Sequence, residues 1–256
     1  IEIHDDLATS GKVLSKIFKF FGLLNSSSII KVVFITLSLK KHICKEYLYD
    51  RKNFIILPDA TEIQNHNIKI IKRRRLKIGY FGSINKSRGI NLIADLARLD
   101  NQNDYFIYGG TKEEIRILKE EARSKNITLK SQIPYALVKK EILKMDVLLM
   151  PYTKKATTFG DFGNIIKFMS PMKMFDYLGA SKIILSADIP VLREVLISNY
   201  NSILVKNYMN ANSWKIIIDK IRFKPNKFLN IRKNALKTAI KNNWNIRAKK
   251  MLSLSF

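Results

Sequence analysis

Short apolar runs alternate with longer amphipathic segments along most of this chain. A short apolar run bounded by polar residues is typical of a buried strand, and apolar residues spaced by three and four predict a helix. Regular alternation of the two favours an α/β fold with parallel sheets. The pattern predicts strands at 1–4, 29–35, 54–57, 76–81, 104–109, 127–129 and 146–150, and helices at 12–24, 38–49, 91–98, 112–124 and 135–144.

Two segments interrupt this alternation. The basic cluster Lys72–Arg75 is interpreted as a hinge between two lobes; such a cluster is usually solvated, although it could also contact phosphate. Residues 153–169, which include Gly160 and Gly163, have weak periodicity. We expect that second segment to form a loop over a bound ligand.

The segment from Lys77 to Gly89 joins an apolar run to an amphipathic helix through a basic loop. The run ends at Gly82, and the loop carries Lys86 and Arg88. Glycine allows another backbone to approach closely, and cations at the carboxyl end of a parallel strand suit an anionic ligand. The alternative is an ordinary turn between strand and helix with solvated cations.

A second informative segment runs from Ser170 to Leu196. Ser170 is expected to be an N-cap, with Pro171 in the first helical position and Gly179 at the end of the helix. A short strand at 183–185 and a helix beginning at Pro190 follow.

The start of that first helix has two features of an anion site. Its free backbone N–H groups and dipole favour negative charge, and Lys173 lies near the same end. Asp176 lies two turns in, where its carboxylate can accept two hydrogen bonds from a sugar diol.

At these residues the chain resembles the retaining glycosyltransferases of family 4, which have the GT-B fold. The segment SPMKMFDYLGASKIILSADIPVLREVL (170–196) resembles the nucleotide-sugar signature of that family, and GYFGSINKSRGI (79–90) resembles its phosphate loop. DVLLMPY (146–152) is similar to the strand before the donor loop, and NWNIRAKKML (243–252) to the closing helix. EIHDDL, VVFITLSLKKHI and IILPDATEI resemble the last third of the family's N-terminal domain.

The resemblance implies an α/β fold of GT-B type with two Rossmann-like lobes. The first is an incomplete acceptor-side lobe at 1–70, against which the helix at 236–256 packs, and the second is a nucleotide-sugar lobe at 75–235. The implied donor-binding residues are Gly82, Ser83, Arg88, Gly89, Ser170, Pro171, Lys173, Asp176 and Glu194. Glu194 could instead cap a helix.

The resemblance also implies the chemistry. It predicts transfer of a sugar from a nucleotide-diphosphate sugar to a glycan or lipid-linked acceptor, with retention and without a metal or cofactor. Same-face attack is implied, with the leaving phosphate helping to deprotonate the acceptor. His4, within EIHDD, matches a histidine lining the cleft and is the predicted catalytic residue. The implied role is synthesis of cell-envelope or surface polysaccharide.

Two departures from the family's pattern matter. The family has a pair of glutamates, and here the first position is Phe168, which cannot accept a hydrogen bond, while the second is the shorter Asp176. The chain also opens on Ile1, and we expect it to be a fragment that lacks roughly 100 residues of a complete first lobe.

Composition narrows the class of protein. Hydrophobic residues make up 46% and charged residues 26% of the chain, which predicts a globular protein. The single Cys44 excludes an intramolecular disulfide, so a reducing, cytoplasmic location is expected. No apolar run approaches the roughly 20 residues of a membrane span.

The formal net charge is +25, and residues 211–256 hold 12 Lys or Arg against one acid, Asp219. No interleaved aromatic platform indicates a specific nucleic acid, so an anionic membrane surface is the favoured partner. Residues 11–24 predict an interfacial helix with an apolar stripe and flanking lysines. The stripe comprises Val13, Leu14, Ile17, Phe18 and Phe21, widened by Phe20, Leu23 and Leu24, beside Lys12, Lys16 and Lys19. The alternative is a helix packed on the rest of its own domain.

Three function classes therefore stay open. The first is a nucleotide-sugar-dependent glycosyltransferase. The second is a degenerate relative that binds a nucleotide sugar without transferring it, and the third is a basic protein that binds a membrane or nucleic-acid surface.

Overall fold

The structure is a computed structural model that describes residues 1–6, 12–64, 68–155 and 164–253, apart from the side chains of Lys12 and Leu14. Gly160 and Gly163 of the predicted ligand loop lie outside the described residues.

The first part of the chain forms a small parallel sheet. Its strands β1 (Glu2–Ile3), β2 (Val32–Phe34) and β3 (Phe54–Ile56) lie in the order β1-β2-β3. Helices α1 (Lys12–Phe20) and α2 (Leu37–Glu46) alternate with them, which requires parallel crossovers. Their buried side chains form a core separate from that of the rest of the chain.

The larger parallel sheet contains six strands in the order β6-β5-β4-β7-β8-β9. They are β4 (Lys77–Phe81), β5 (Asp104–Tyr108), β6 (Ile127–Lys130), β7 (Val147–Met150), β8 (Ile183–Ala187) and β9 (Ile203–Val205). After β4 the chain adds β5 and β6 on one side of that strand, and then β7, β8 and β9 on its other side. Such a reversal opens a crevice at the carboxyl ends of the two strands, where α/β proteins bind ligands.

Helices cover both faces of the large sheet, which explains why β7 and β8 are buried along their whole length. The helices of this part are α3 (Ile90–Leu99), α4 (Lys112–Ala122), α5 (Tyr135–Lys144), α6 (Met172–Gly179), α7 (Ala211–Phe223) and α8 (Leu229–Lys241). In the larger core, α3 packs on α7 and α6 packs on α8.

The last helix, α9 (Trp244–Leu252), contacts the small sheet. Asn243, its N-cap, forms an isolated bridge with Thr61. The Arg247 guanidinium donates to the carbonyl oxygen of Pro58 at 2.9 Å and pairs with Glu2.

The predicted α/β class with parallel sheets is confirmed, and several boundaries need correction. The helix predicted at 12–24 ends at Phe20, and a 3₁₀ turn at Leu23–Asn25 follows. Residues 165–167 of the predicted loop form another 3₁₀ turn. The segment after Pro190 is a 3₁₀ helix, Pro190–Glu194, not an α-helix.

The predicted cap of α6 is also wrong. Pro171 occupies the N-cap position with ψ of 122°, and the first helical residue is Met172. Ser170 precedes a proline, and that position disfavours helical backbone. Its hydroxyl instead lies 3.5 Å from the backbone nitrogen of Asp59, from which it accepts a hydrogen bond.

Candidate active site

The candidate site lies where the order of the large sheet reverses, between the carboxyl ends of β4 and β7. Gly89, after β4, has a φ of +76°, and a Cβ there would lie 1.6 Å from the carbonyl oxygen of Pro151, after β7. Only glycine allows the two loops to touch in this way.

The loop after β4 is held by local hydrogen bonds. The side-chain oxygen of Asn85 accepts from the backbone N–H of Arg88 at 3.0 Å, which fixes the 3₁₀ turn Lys86–Arg88. The carbonyl oxygen of Ser83 accepts from the Tyr80 hydroxyl at 2.8 Å. Lys86 is exposed, whereas Arg88 is half-buried.

Lys173 brings a second cation to the same place. Its ammonium lies 4.1 Å from the ring centroid of Tyr80 and 5.7 Å from that of Tyr152. The Arg88 guanidinium lies 5.4 Å from the Tyr152 centroid. The aromatic faces attract Arg88, and Lys173 when it is protonated, at the switch point.

The electrostatics of this pair favour an anion. Burial, and then the nearby Arg88, hold the pKa of Lys173 well below its usual range. Charging Lys173 is therefore costly in the absence of a counter-charge. An anion with several oxygens would offset that cost and could bind both cations at once.

Asp176 is a buried carboxylate, 5% exposed, that joins the two parts of the chain. Its Oδ1 accepts from the Tyr135 hydroxyl at 2.8 Å and from the Thr61 hydroxyl at 3.1 Å. Burial raises the pKa of Asp176, and these hydrogen bonds oppose the rise. Its predicted contact with a ribose stays a prediction.

Glu194 contacts the first part of the chain, not the two cations. Its carboxylate accepts from the backbone N–H of Leu37 at 2.7 Å and from that of Ser38 at 2.9 Å. It therefore caps the N-terminus of α2, where a negative charge is favoured. This matches the helix-capping alternative, while a contact with a donor stays a prediction.

His4 follows β1 at the carboxyl edge of the small sheet. Its side chain is 59% exposed, and Nε2 lies 3.1 Å from Oε1 of Glu2. Its predicted catalytic role stays a prediction.

Phe168, at the position of the family's first glutamate, is used in packing. Its ring centroid lies 4.4 Å from that of His42, and its carbonyl oxygen accepts from the Thr36 hydroxyl at 3.0 Å. The phenylalanine thus contacts α2 and the residue before it instead of offering a polar group to a ligand.

Sequence reasoning missed four residues that contact the predicted ones, namely Thr61, Tyr80, Tyr135 and Tyr152. Tyr80 and Tyr152 carried a signal, because they stand at the ends of apolar runs beside the predicted loops. Thr61 and Tyr135 carried none, because each meets Asp176 across a long separation in sequence.

Within the described ranges, no group of three or more His, Cys, Asp or Glu side chains is placed to hold a metal ion. In the same part of the chain, no helix is both long and apolar enough to cross a membrane.

Neither family models nor curated protein sequences give a match to this chain. Solved structures do. A glycosyltransferase from Rickettsia africae superposes with a TM-score of 0.73 at 13% identity over 95% of this chain and 66% of that protein. TarM of S. aureus gives 0.70 at 17% identity over 99% of this chain and 49% of its own.

HepE of Anabaena, solved with UDP, gives a TM-score of 0.71 at 12% identity over 99% of this chain and 71% of that protein. At these identities the comparison shows the fold alone. That fold is the GT-B type, α/β with parallel sheets in Rossmann-like lobes. The chain spans less than two thirds of the Rickettsia protein and about half of TarM.

Proposed function

We propose that this chain forms the donor-binding part of a glycosyltransferase, which moves a sugar from a nucleotide-diphosphate sugar to an acceptor hydroxyl with retention. One observation carries the proposal: Arg88 and Lys173 converge beside Gly82 at the switch point of the large sheet. A nucleoside diphosphate is the anion that this position suits best in an α/β fold. The resemblance of 79–90 and 170–196 to family 4 supports the same choice.

In the proposed reaction, negative charge develops on the leaving diphosphate as the anomeric bond breaks. Fixed cations near that charge stabilise the transition state more than the ground state. Arg88 and Lys173 would supply this stabilisation, and His4 would line the cleft near the sugar. No metal or cofactor has a role in the proposal.

A bound UDP-sugar supports the donor class by analogy. HepE was solved with UDP-glucose, and TarM with UDP and α-GlcNAc-glycerol. The acceptor proposed for this chain is a glycan or a lipid-linked precursor used in cell-envelope or surface polysaccharide synthesis.

Membrane association is a further part of the proposal. On and after α1, Val13, Phe20 and Phe21 are 74%, 83% and 67% exposed. Exposed Lys16 and Lys19 lie among them, which is the pattern of a helix lying on an anionic bilayer. Binding of the protein to the cytoplasmic face of the membrane would bring a lipid-linked acceptor close to the cleft.

A second candidate function is binding of a nucleotide sugar without transfer. Two observations favour it: Phe168 packs on His42 in place of a polar contact, and Asp176 is already hydrogen-bonded to Thr61 and Tyr135.

Two measurements separate these functions. A thermal-shift series with UDP, GDP and their sugars should raise the Tm for either candidate, because a ligand that binds only the folded state stabilises it. Sugar transfer to an acceptor by the full-length gene product then distinguishes the enzyme from the binder. If no nucleotide or sugar raises the Tm, both fail.

A further inference from the structure

The hydroxyl of Tyr152 is a buried polar group that makes no hydrogen bond of normal geometry among the described residues. Tyr152 is 2% exposed and directly follows Pro151 at the carboxyl end of β7. Burial removes the water that would otherwise form hydrogen bonds with a hydroxyl. Most buried hydroxyls therefore have a hydrogen-bond partner in the structure. A buried hydroxyl without such a bond, beside a candidate site, leaves a donor available to a ligand.

The neighbouring tyrosines differ from Tyr152 in this respect. The Tyr80 hydroxyl donates to the carbonyl of Ser83 at 2.8 Å, and the Tyr177 hydroxyl accepts from the backbone N–H of Phe81 at 3.0 Å. Both hydroxyls have a partner with normal hydrogen-bond geometry in the folded chain, whereas the Tyr152 hydroxyl has none among the described residues.

Tyr152 also lies against both cations of the site. The Lys173 ammonium and the Arg88 guanidinium lie 5.7 Å and 5.4 Å from its ring centroid. Burial raises the pKa of Tyr152 to about 12, although the charge of Arg88 and an interaction of the Arg88 side chain with the Tyr152 hydroxyl oppose the rise. The phenol therefore keeps its proton at neutral pH, and its O–H group can donate a hydrogen bond to an acceptor.

We propose that Tyr152 is a third anion-binding residue of this site, whose hydroxyl donates a hydrogen bond to an oxygen of the nucleoside diphosphate that Arg88 and Lys173 bind. The inference rests on the proposed function and deepens it. A neutral donor beside the two cations adds a directional contact to their charge, because a hydrogen bond depends on angle as well as distance. The diphosphate would thereby be held in one orientation.

The test is the variant Tyr152→Phe, which keeps the ring and its contacts with both cations and removes only the hydroxyl. Calorimetric titration with UDP and GDP should show at least about a tenfold loss of affinity, or about 1.4 kcal/mol. The Tm without ligand should be unchanged or higher, because an unpaired buried hydroxyl is removed.

Tyr105→Phe is the matched control. The Tyr105 hydroxyl donates to Oδ2 of Asp100 at 2.7 Å, and Asp100 lies before β5, at the end of the strand away from the site. This variant should lower the Tm and leave the affinity for UDP and GDP unchanged.

Three results would overturn the inference. If Tyr152→Phe binds UDP and GDP like the parent, the hydroxyl does not contact the ligand, although the proposed function still holds. A lower Tm in Tyr152→Phe with unchanged affinity shows a structural role. If the parent binds neither UDP nor GDP, the proposed function itself is wrong and this inference fails with it.

Discussion

The ammonium of Lys173 lies over the backbone of Gly82, so close that a Cβ at residue 82 would lie 2.4 Å from Nζ. Gly82 also has a φ of +145°, which residues with side chains rarely adopt. The two segments that most resemble a donor site are thus fitted to each other. The glycine directly after β4 makes the space that a lysine on α6 occupies.

Gly82→Ala is therefore expected to displace Lys173 and to weaken UDP or GDP binding, as measured by calorimetric titration. The Tm should also fall, because the backbone is strained. Gly22→Ala is the control, since Gly22 has a positive φ of +56° but no atom within 4 Å of an added Cβ. The Gly22→Ala variant should have a lower Tm and an unchanged affinity for UDP or GDP. Unchanged affinity in Gly82→Ala would contradict the proposed position of Lys173 in the site.

Arg88→Ala and Lys173→Ala should each weaken binding of a nucleoside diphosphate by about 1.5–3 kcal/mol, as expected for hydrogen bonds to charged groups. Arg116→Ala is the matched control, because Arg116 is 61% exposed and pairs with Glu113 and Glu120 on its own helix. If Arg88→Ala and Lys173→Ala both bind UDP and GDP like the parent, the two cations have no role in donor binding.

Asp176→Asn separates a ligand contact from a structural one. The amide oxygen can still accept from Tyr135 and Thr61, so the link between the lobes is kept. Burial raises the pKa of Asp176 above its unfolded value. Its contribution to the free energy of unfolding is therefore fully present below the unfolded pKa and is lost as the pH rises through the folded pKa.

At pH 7 the buried charge is thus unfavourable, and the Tm of Asp176→Asn should equal or exceed that of the parent. Affinity for UDP or GDP should nevertheless fall if the carboxylate binds the ribose, and added EDTA should change nothing. A lower Tm with full affinity would assign Asp176 to folding alone. Binding that requires a metal would contradict the proposed roles.

Much of the large sheet could be predicted, because its strands are short apolar runs whose burial on both faces leaves a clear local pattern. The loop after β4 could be predicted for a related reason. Gly82 and Gly89 mark backbone positions that other residues cannot adopt, and Arg88 lies between them.

Other features depend on contacts that local pattern does not encode. The sequence of α1 is apolar around much of its circumference, so the predicted stripe placed Phe18 with the exposed residues. In the structure Phe18 packs against the core of the small sheet, as does the fully buried Leu24. Likewise, the capping of α2 by Glu194 joins residues 156 or more positions apart.

Proton uptake provides a test specific to Lys173. Burial and Arg88 lower its pKa in the free chain, and a bound diphosphate would raise it by supplying negative charge. Binding should therefore take up a proton between the two pKa values, and affinity should fall as the pH rises through that window. Titrations in buffers with different heats of ionisation measure the uptake. If proton uptake persists in Lys173→Met, a group other than Lys173 takes up the proton.

The exposed apolar face of α1 gives the last prediction. Phe20 and Phe21 are 83% and 67% exposed, and their rings contact each other edge to face at 5.0 Å. Burial of both in a bilayer would add to the attraction of nearby lysines for anionic lipid, about 1 kcal/mol each. Phe20→Ser with Phe21→Ser is a better test than any change at Phe18, because Phe18 contributes to the core.

The parent chain should sediment with anionic vesicles at low salt, and the double variant should stay in the supernatant with an unchanged Tm. Leu48→Ser, at an apolar residue that is 69% exposed elsewhere in the same lobe, should sediment like the parent. Equal sedimentation of all three, abolished by salt, would mean that the net charge alone holds the chain on lipid. That result would favour the alternative interpretation, in which this face of α1 packs on protein and not on a membrane.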